Sequence, residues 1–206
     1  MKGKYLKCML VSSVIVAMIG GPLFAAITGS AHDFSGEAWS SGEICLPCHT
    51  AHNADTSLTD APLWNHEVTI ATFTVYSSTT LDAGALGQPA GTSKLCLSCH
   101  DGTVALENFG GATGGTNVVI AGLVGTDLSN DHPISFTYDD TLAGNDGELF
   151  LPSTDTTILG GTIDDDLLFE GKLECASCHD VHGTSVDGLL RMSNEASALC
   201  LTCHNK

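Results

Sequence analysis

The feature that most constrains this chain is a five-residue pattern, Cys-x-x-Cys-His, which occurs four times. In chain order the copies are Cys45–His49, Cys96–His100, Cys175–His179 and Cys200–His204, and they are called motifs I to IV below. The chain contains nine cysteines, and only Cys8 lies outside the motifs. If other chemical groups were bonded to the eight motif thiols, those bonds would constrain the fold more strongly than helix or strand propensity does.

The spacing of the motif has a chemical reason. CxxCH is the attachment signature of c-type haem. Two thiols separated by one short turn reach the two vinyl groups of a single porphyrin, and the adjacent histidine ligates the iron. We therefore predict four covalently bound haem c groups, attached through Cys45, Cys48, Cys96, Cys99, Cys175, Cys178, Cys200 and Cys203. The proximal iron ligands are then His49, His100, His179 and His204.

Three other uses of paired cysteines fit this pattern less well. A disulfide framework is typical of exported proteins, but it does not require a histidine after each second cysteine. Zinc ribbons use CxxC pairs, but the four trailing histidines would then have no role. A thioredoxin-like redox site uses one CxxC pair, whereas this chain has four.

The second axial ligand of each iron is predicted to be another histidine. Met192 is the one methionine of residues 32–206, and it is expected to fill packing space. Bis-histidine ligation gives saturated, low-spin irons with potentials below those of Met-ligated haems. The distal candidates outside the motifs are His32, His52, His66, His132 and His182. Four irons need four distal ligands, so one of the five candidates is surplus. The sequence does not show whether the surplus histidine is His32 or His66.

Two of the distal candidates stand at a fixed distance from a motif. His52 and His182 each follow a motif histidine by three residues. Side chains three apart on a helical turn are neighbours, and the motif histidine is committed to its own iron. The second histidine is therefore expected to reach a different iron, which requires haems packed closely enough for electron hopping.

Residues 1–31 have the layout of a secretory signal. Three lysines precede an apolar run that ends in Gly29-Ser30-Ala31, small residues that favour cleavage after Ala31. The alternative is a retained membrane anchor, but serines, glycines and a proline interrupt the run. We predict an exported chain whose residues 32–206 form one tetrahaem cytochrome c domain without a membrane span. The expected location is extracellular or at the cell surface, with the periplasm as the alternative.

The charge of residues 32–206 is strongly negative. They contain four basic residues against 24 acidic ones, a balance of −20. This excludes a nucleic-acid-binding protein, which needs a basic surface for phosphate, and it argues against docking on anionic lipid. Expected partners are cationic redox proteins, extracellular metal acceptors or further copies of the chain. The acidic triplet at 164–166 is expected to be a solvated charge run rather than a cation site.

The expected fold class is a multihaem cytochrome c, mostly irregular, with short helices, a few short strands and a core of stacked haems. Alternating side chains predict a short strand at 68–77, and the acidic stretch 127–171 is expected to contain at most short strands, around 134–138 and 158–163. Glycine and small residues predict loops at 82–93 and 110–117, and Ser193 is expected to cap a turn leading into motif IV. With few aromatic residues and no long amphipathic helix, the chain is not expected to fold without haem.

The motifs resemble the doubled-CxxCH tetrahaem cytochromes, and among them the cytochromes of outer-surface filaments. The resemblance covers nearly all of residues 32–206 and rests on His32–Ser35, Cys45–Asn53, Pro62–His66, Tyr76–Ser78, Lys94–Thr103, Asp131–Pro133, Cys175–His182 and Ala198–His204. It implies bis-histidine haems stacked in a continuous wire, secretion to the cell surface, and polymerisation in which a histidine of one subunit ligates a haem of the next. On this resemblance the bridging ligand is His52.

The leading functional hypothesis is an electron-transfer protein, not an enzyme, that assembles end to end into a conductive filament. A monomeric periplasmic electron shuttle has the same haems and stays open. A multihaem reductase needs an open iron position, and here histidines outnumber the vacant positions. A structural zinc or disulfide module is the remaining alternative, and it predicts a colourless protein.

Overall fold

A computed structural model of the chain describes residues 27–58, 61–183 and 186–206. The predicted signal therefore lies outside the described residues, apart from 27–31. Within the described ranges, no helix is both long enough and apolar enough to span a membrane.

Most of the described chain is loop, which confirms the predicted mixture of irregular structure with short elements. The helices of this part are α1 (Gly91–His100), α2 (Asp140–Asp146), α3 (Ile163–Leu167), α4 (Cys175–Cys178) and α5 (Cys200–Cys203). Single turns of 3₁₀ helix lie at Phe34–Gly36, Asp187–Leu189 and Glu195–Ser197. Strands β1 (Phe136–Thr137) and β2 (Lys172–Leu173) pair antiparallel, with Phe136 opposite Leu173.

Local hydrogen bonds determine where the short helices begin and end. The Asp139 side chain accepts from the third amide of α2, and Gly147 ends that helix with a φ of 75°, a value that glycine adopts without strain. A capping box of Thr162 and Asp165 starts α3. Such caps hold helices that are too short to persist on propensity alone.

The apolar core formed by the polypeptide is small and divided. Its largest cluster contains Tyr138, Leu142, Ala143, Ile163, Leu168 and Leu173, and smaller clusters surround Leu97 and Met192. Met192 is 4 % exposed, which confirms that it fills packing space. By contrast, Ile70 is 99 % and Ile120 is 88 % exposed. The polypeptide by itself therefore leaves some of its largest apolar side chains in water.

Two of the predicted strands are wrong. Residues 68–77 contain no strand and are joined to the neighbouring chain by an isolated bridge between Thr74 and Asp127. Residues 158–163 form a turn closed by a bridge between Thr156 and Thr162, and α3 begins at its end. Alternation of side chains is not sufficient for a strand, because the ladder also needs a partner running alongside.

The other local predictions are mostly confirmed. The strand expected at 134–138 is present as β1, and residues 110–117 are loop. The loop expected at 82–93 ends early, because α1 already begins at Gly91. The Ser193 hydroxyl accepts from the Glu195 amide at 3.1 Å, so it closes the turn before motif IV as expected.

Candidate haem sites

Each motif forms a turn that places its two cysteines and its histidine together. The cysteines of motifs III and IV bound the single-turn helices α4 and α5, and motif II forms the end of α1. In motif I the His49 amide closes the turn by donating to the Cys45 carbonyl oxygen at 2.8 Å. The His179 and His204 amides make the same bond in their motifs, at 3.1 and 2.9 Å. Compact turns of this kind suit attachment of two thiols to one porphyrin.

The motif thiols are free, and six of the eight motif cysteines are partly buried, whereas Cys45 and Cys200 are exposed. All eight cysteines of the described residues are unbridged. Burial raises the pKa of the Cys48 thiol to about 11, and those of Cys99 and Cys203 to about 12. These thiols therefore stay protonated at neutral pH. Among the described residues, no three His, Cys, Asp or Glu side chains converge as a cage for a metal ion.

The four motifs adjoin one another in chain order. Cys48 of motif I is close enough to Cys99 of motif II to raise its pKa. The Cys96 thiol of motif II and the Cys175 thiol of motif III are neighbours that shift each other's pKa, raising that of Cys96 and lowering that of Cys175. Cysteines of motifs III and IV pack against the same apolar cluster around Met192. Groups attached to these motifs would therefore form one array rather than four isolated sites.

Backbone carbonyls orient several of the histidines that are candidates to ligate iron. Their Nδ1 atoms lie within hydrogen-bond distance of a carbonyl oxygen in the pairs His49 with Pro62 (2.9 Å), His100 with Gly122 (2.7 Å), His179 with Gly188 (2.9 Å) and His132 with Pro133 (2.9 Å). An Nδ1–H that donates to a carbonyl leaves the lone pair on Nε2, as in metal-bound histidines. The donor set therefore fits haem iron.

Three motif histidines each face one of the distal candidates. Ring centres are 5.9 Å apart for His100 and His32, 6.0 Å for His49 and His182, and 6.3 Å for His204 and His132. Two imidazoles on opposite sides of one metal have centres about 6 Å apart, because the metal–nitrogen bond is about 2 Å and the ring radius is about 1.1 Å. The observed spacing is therefore compatible with two histidines that bind one metal ion.

Two of these histidines are held in the neutral form. Burial, together with the neighbouring His100, lowers the pKa of His32, and burial also lowers the pKa of His204. Neutral imidazole is the form that binds a metal. Both rings are therefore in the protonation state that ligation requires.

The local geometry that presents His182 differs from the expected helical turn. The chain leaves α4 at His179, which is extended with φ −114° and ψ 143°. The Asp180 side chain then accepts from the His182 amide at 2.8 Å, which is an Asx turn. This turn directs the His182 ring to motif I rather than to its own motif. The Thr50 hydroxyl makes the equivalent, longer contact with the His52 amide, at 3.4 Å.

The two remaining distal candidates have different surroundings. His66 is 5 % exposed, with Nδ1 2.8 Å from the Glu67 carbonyl oxygen and Nε2 3.1 Å from that of Ala105. Each ring nitrogen of His66 therefore faces a carbonyl oxygen, and neither is free to bind iron in this position. His52 is exposed. Among the described residues, His179 forms no imidazole pair at the spacing of axial ligands.

Two side chains that lie beside the motifs are not among the residues predicted above. The Trp64 ring stands edge-on to His49, with centres 6.0 Å apart. Glu174 is 2 % exposed and hydrogen-bonds to α1. A sequence signal exists for Glu174, because Lys172-Leu173 precedes motif III as Lys94-Leu95 precedes motif II, with Glu174 as an extra residue.

Comparison with known proteins agrees with the nature of these sites. Residues 168–206 match a family described as Doubled CXXCH motif. The matched segment contains motifs III and IV with His182 between them. The match supports a multihaem c-type cytochrome-like protein, and the CXXCH motifs indicate covalently bound c-type haem. No curated protein matches the chain.

Proposed function

We propose that this protein is an exported electron carrier with four bis-histidine c-type haems, one on each motif, which assembles into filaments. The observation that carries the proposal is the set of imidazole pairs at 5.9, 6.0 and 6.3 Å. Each pair joins a motif histidine to a histidine distant in sequence. Haem c, when bound, supplies a one-electron ferric/ferrous couple.

Different residues of the chain would hold different parts of such a haem. The motif cysteines would fix each porphyrin, and the motif histidines together with the remote histidines would supply the imidazole ligands of the iron. An iron with both axial positions filled exchanges electrons without binding a substrate. This arrangement favours a carrier over an enzyme.

We assign the axial ligands from the ring pairs. The proposed intrachain pairs are His49 with His182, His100 with His32, and His204 with His132. The proposed surplus histidine is His66, whose two nitrogens face carbonyl oxygens. His179 then takes its second ligand from His52 of the partner subunit. The exposure of both His52 and His179 and the resemblance to outer-surface filament cytochromes support this last step.

The proposed location and partners follow from charge and from the signal pattern. Export rests on residues 1–31, and placement at the cell surface rests on the filament resemblance. Negative charge keeps an assembly of this kind soluble, and its subunits associate only if interface burial and the bridging ligand offset their repulsion. Proposed redox partners are cationic proteins and extracellular metal acceptors.

Imaging of the secreted, haem-loaded protein tests this proposal. We expect four haems per chain by mass, uniform filaments by negative-stain electron microscopy, and loss or shortening of filaments in the His52→Ala variant. The matched control is His66→Ala, which is expected to keep its filaments. Discrete monomers in the parent would contradict the filament, and fewer than four haems would contradict the stoichiometry.

One observation favours a second candidate, a multihaem reductase. Without a neighbouring subunit, the iron at the exposed His179 would keep an open position, as substrate binding requires. A parent protein that stays monomeric, shows a high-spin ferric signal and binds carbon monoxide at one haem would support the reductase. A monomer without these signals would instead be a shuttle with a fourth intrachain ligand.

A further inference from the structure

Glu174 is a fully enclosed acidic residue between two haem motifs. It directly precedes Cys175 of motif III and is 2 % exposed. Its Oε2 atom is 3.3 Å from the Ser93 amide and also accepts from the Ser93 hydroxyl. The Ser135 hydroxyl donates to the same oxygen at 2.8 Å. Within motif III, the Glu174 side chain accepts from the Ser177 amide as a capping box.

The hydrogen-bond directions identify the group as a carboxylate. The Ser93 hydroxyl oxygen accepts from the Cys175 amide at 2.9 Å, so its own proton is directed to Glu174. The Ser135 hydroxyl oxygen accepts from the Ala90 amide at 3.1 Å, and its proton has a nearer acceptor in Glu174, at 2.8 Å, than in the Ala90 carbonyl oxygen, at 3.4 Å. A carboxyl group that receives hydrogen bonds from several donors acts as an acceptor, which is the role of an ionised carboxylate. These bonds offset the cost of burying the charge.

The Glu174 carboxylate lies beside two motifs. Ser93 lies on α1, one turn before Cys96 of motif II, and Glu174 adjoins Cys175 of motif III. The carboxylate raises the pKa of both of these thiols by charge repulsion. It therefore lies at the junction of motifs II and III.

We propose that Glu174 is a fixed negative charge that lowers the reduction potentials of the haems on motifs II and III. This inference rests on the proposed function. Reduction of each iron adds one electron and makes the site more negative, so a nearby anion disfavours the ferrous form. The effect is strong in a buried site because little solvent screens it, and net charge and burial are recognised means of tuning such centres.

A pair of substitutions with opposite expected effects tests the proposal. Glu174→Gln removes the charge and is expected to raise two of the four potentials. We expect at least a tenfold change in the ferrous/ferric ratio at a fixed potential, which is about 59 mV for a one-electron couple. Ser135→Ala keeps the charge but removes a donor that partly neutralises it, so the same two potentials should fall. The control Glu195→Gln removes an exposed charge and should leave all four potentials nearly unchanged.

The potentials are measured by a stepwise redox titration with dithionite, followed by nuclear magnetic resonance of the haem methyl groups to identify each haem. A structural role alone would move the Glu174→Gln and Ser135→Ala potentials in the same direction, which would overturn the inference. If Glu174→Gln does not fold, an unchanged or raised potential in Ser135→Ala overturns it equally. Four bound haems with unmoved potentials would refute the inference alone, whereas a parent without haem would refute the proposed function as well.

Discussion

Whether a histidine of this chain suits an iron depends on what its two ring nitrogens contact. His49 and His100 direct Nδ1 to a backbone carbonyl and keep Nε2 free, whereas both nitrogens of His66 face carbonyls. The sequence predicts the motif histidines, because covalent attachment requires them beside the cysteines. It does not separate His32 from His66, because the Ala105 carbonyl that occupies His66 lies 39 residues away.

His132 provides a test at the scale of one residue. Its ring faces His204 at 6.3 Å, so the His132→Ala variant should leave one iron without its second ligand. We expect a high-spin signal from one haem in four, and binding of one carbon monoxide per chain in the reduced, assembled protein. Visible absorption and electron paramagnetic resonance measure both. His66→Ala is the control, and binding of carbon monoxide by that variant instead would reverse the two assignments.

The secondary-structure elements of this chain form where a cap or turn closes them, which a search for periodicity does not detect. The buried residues of α1 are Thr92, Ser93, Leu95, Leu97 and Ser98, so its inner face is largely polar and gives no clear apolar repeat. Strands β1 and β2 have two residues each. Residues 68–77 show the reverse case, with alternation but no ladder. The fold class and the shortness of the elements could therefore be predicted from the sequence, whereas the positions of most elements could not.

The turn after motif III gives a prediction at the element scale. Asp180→Ala removes the acceptor of the His182 amide, so the His182 ring should be held less firmly against His49. We expect a fraction of high-spin iron that grows on warming, measured by absorption spectroscopy. Asp101→Ala is the matched control, because the same turn in motif II presents Thr103, which is not a ligand. Loss of the Asp101 carboxylate is expected to lower stability without changing the spin state of any iron. Equal changes in spin state in both variants would contradict the role of the Asp180 turn in holding His182.

The cap of α3 gives a second prediction. The Thr162 hydroxyl accepts from the Asp165 amide at 3.1 Å and holds the helix that buries Ile163 and Leu167. Thr162→Ala should lower the free energy of unfolding by about 1 kcal/mol, the usual effect of losing an N-cap. Denaturant titration measures it. Thr141→Ala, at an exposed position inside α2, removes no cap and should change the midpoint much less.

At the scale of the whole molecule, the polypeptide core of the described residues is divided, and we expect the fold to depend on bound haem. Three small clusters and exposed residues such as Ile70 and Ile120 leave much apolar surface unburied. The sequence predicts this dependence, because its cysteines occur only in the motifs after Cys8 and its aromatic content is 6 %. It does not predict that the motifs adjoin in chain order, which depends on contacts between distant loops.

Haem removal tests this dependence. A variant of residues 32–206 with all eight motif cysteines changed to serine should be expanded, with a radius of gyration nearer about 44 Å than the about 16 Å of a compact chain of this length. Small-angle X-ray scattering measures the difference. A variant that lacks only the motif I cysteines keeps three attachment sites and is expected to stay compact. A compact cysteine-free chain would show that the polypeptide alone is sufficient.

The contact between the thiols of Cys96 and Cys175 has a consequence for biosynthesis. The two sulfurs belong to different motifs yet are neighbours that shift each other's pKa. In an oxidising compartment, such as the one to which export would deliver the chain, neighbouring thiols are open to oxidation to a disulfide. A disulfide between Cys96 and Cys175 would take from motifs II and III one sulfur each that haem attachment needs. Oxidation and haem attachment would then compete for the same atoms, and we expect maturation to require that these thiols stay reduced until the haems are in place.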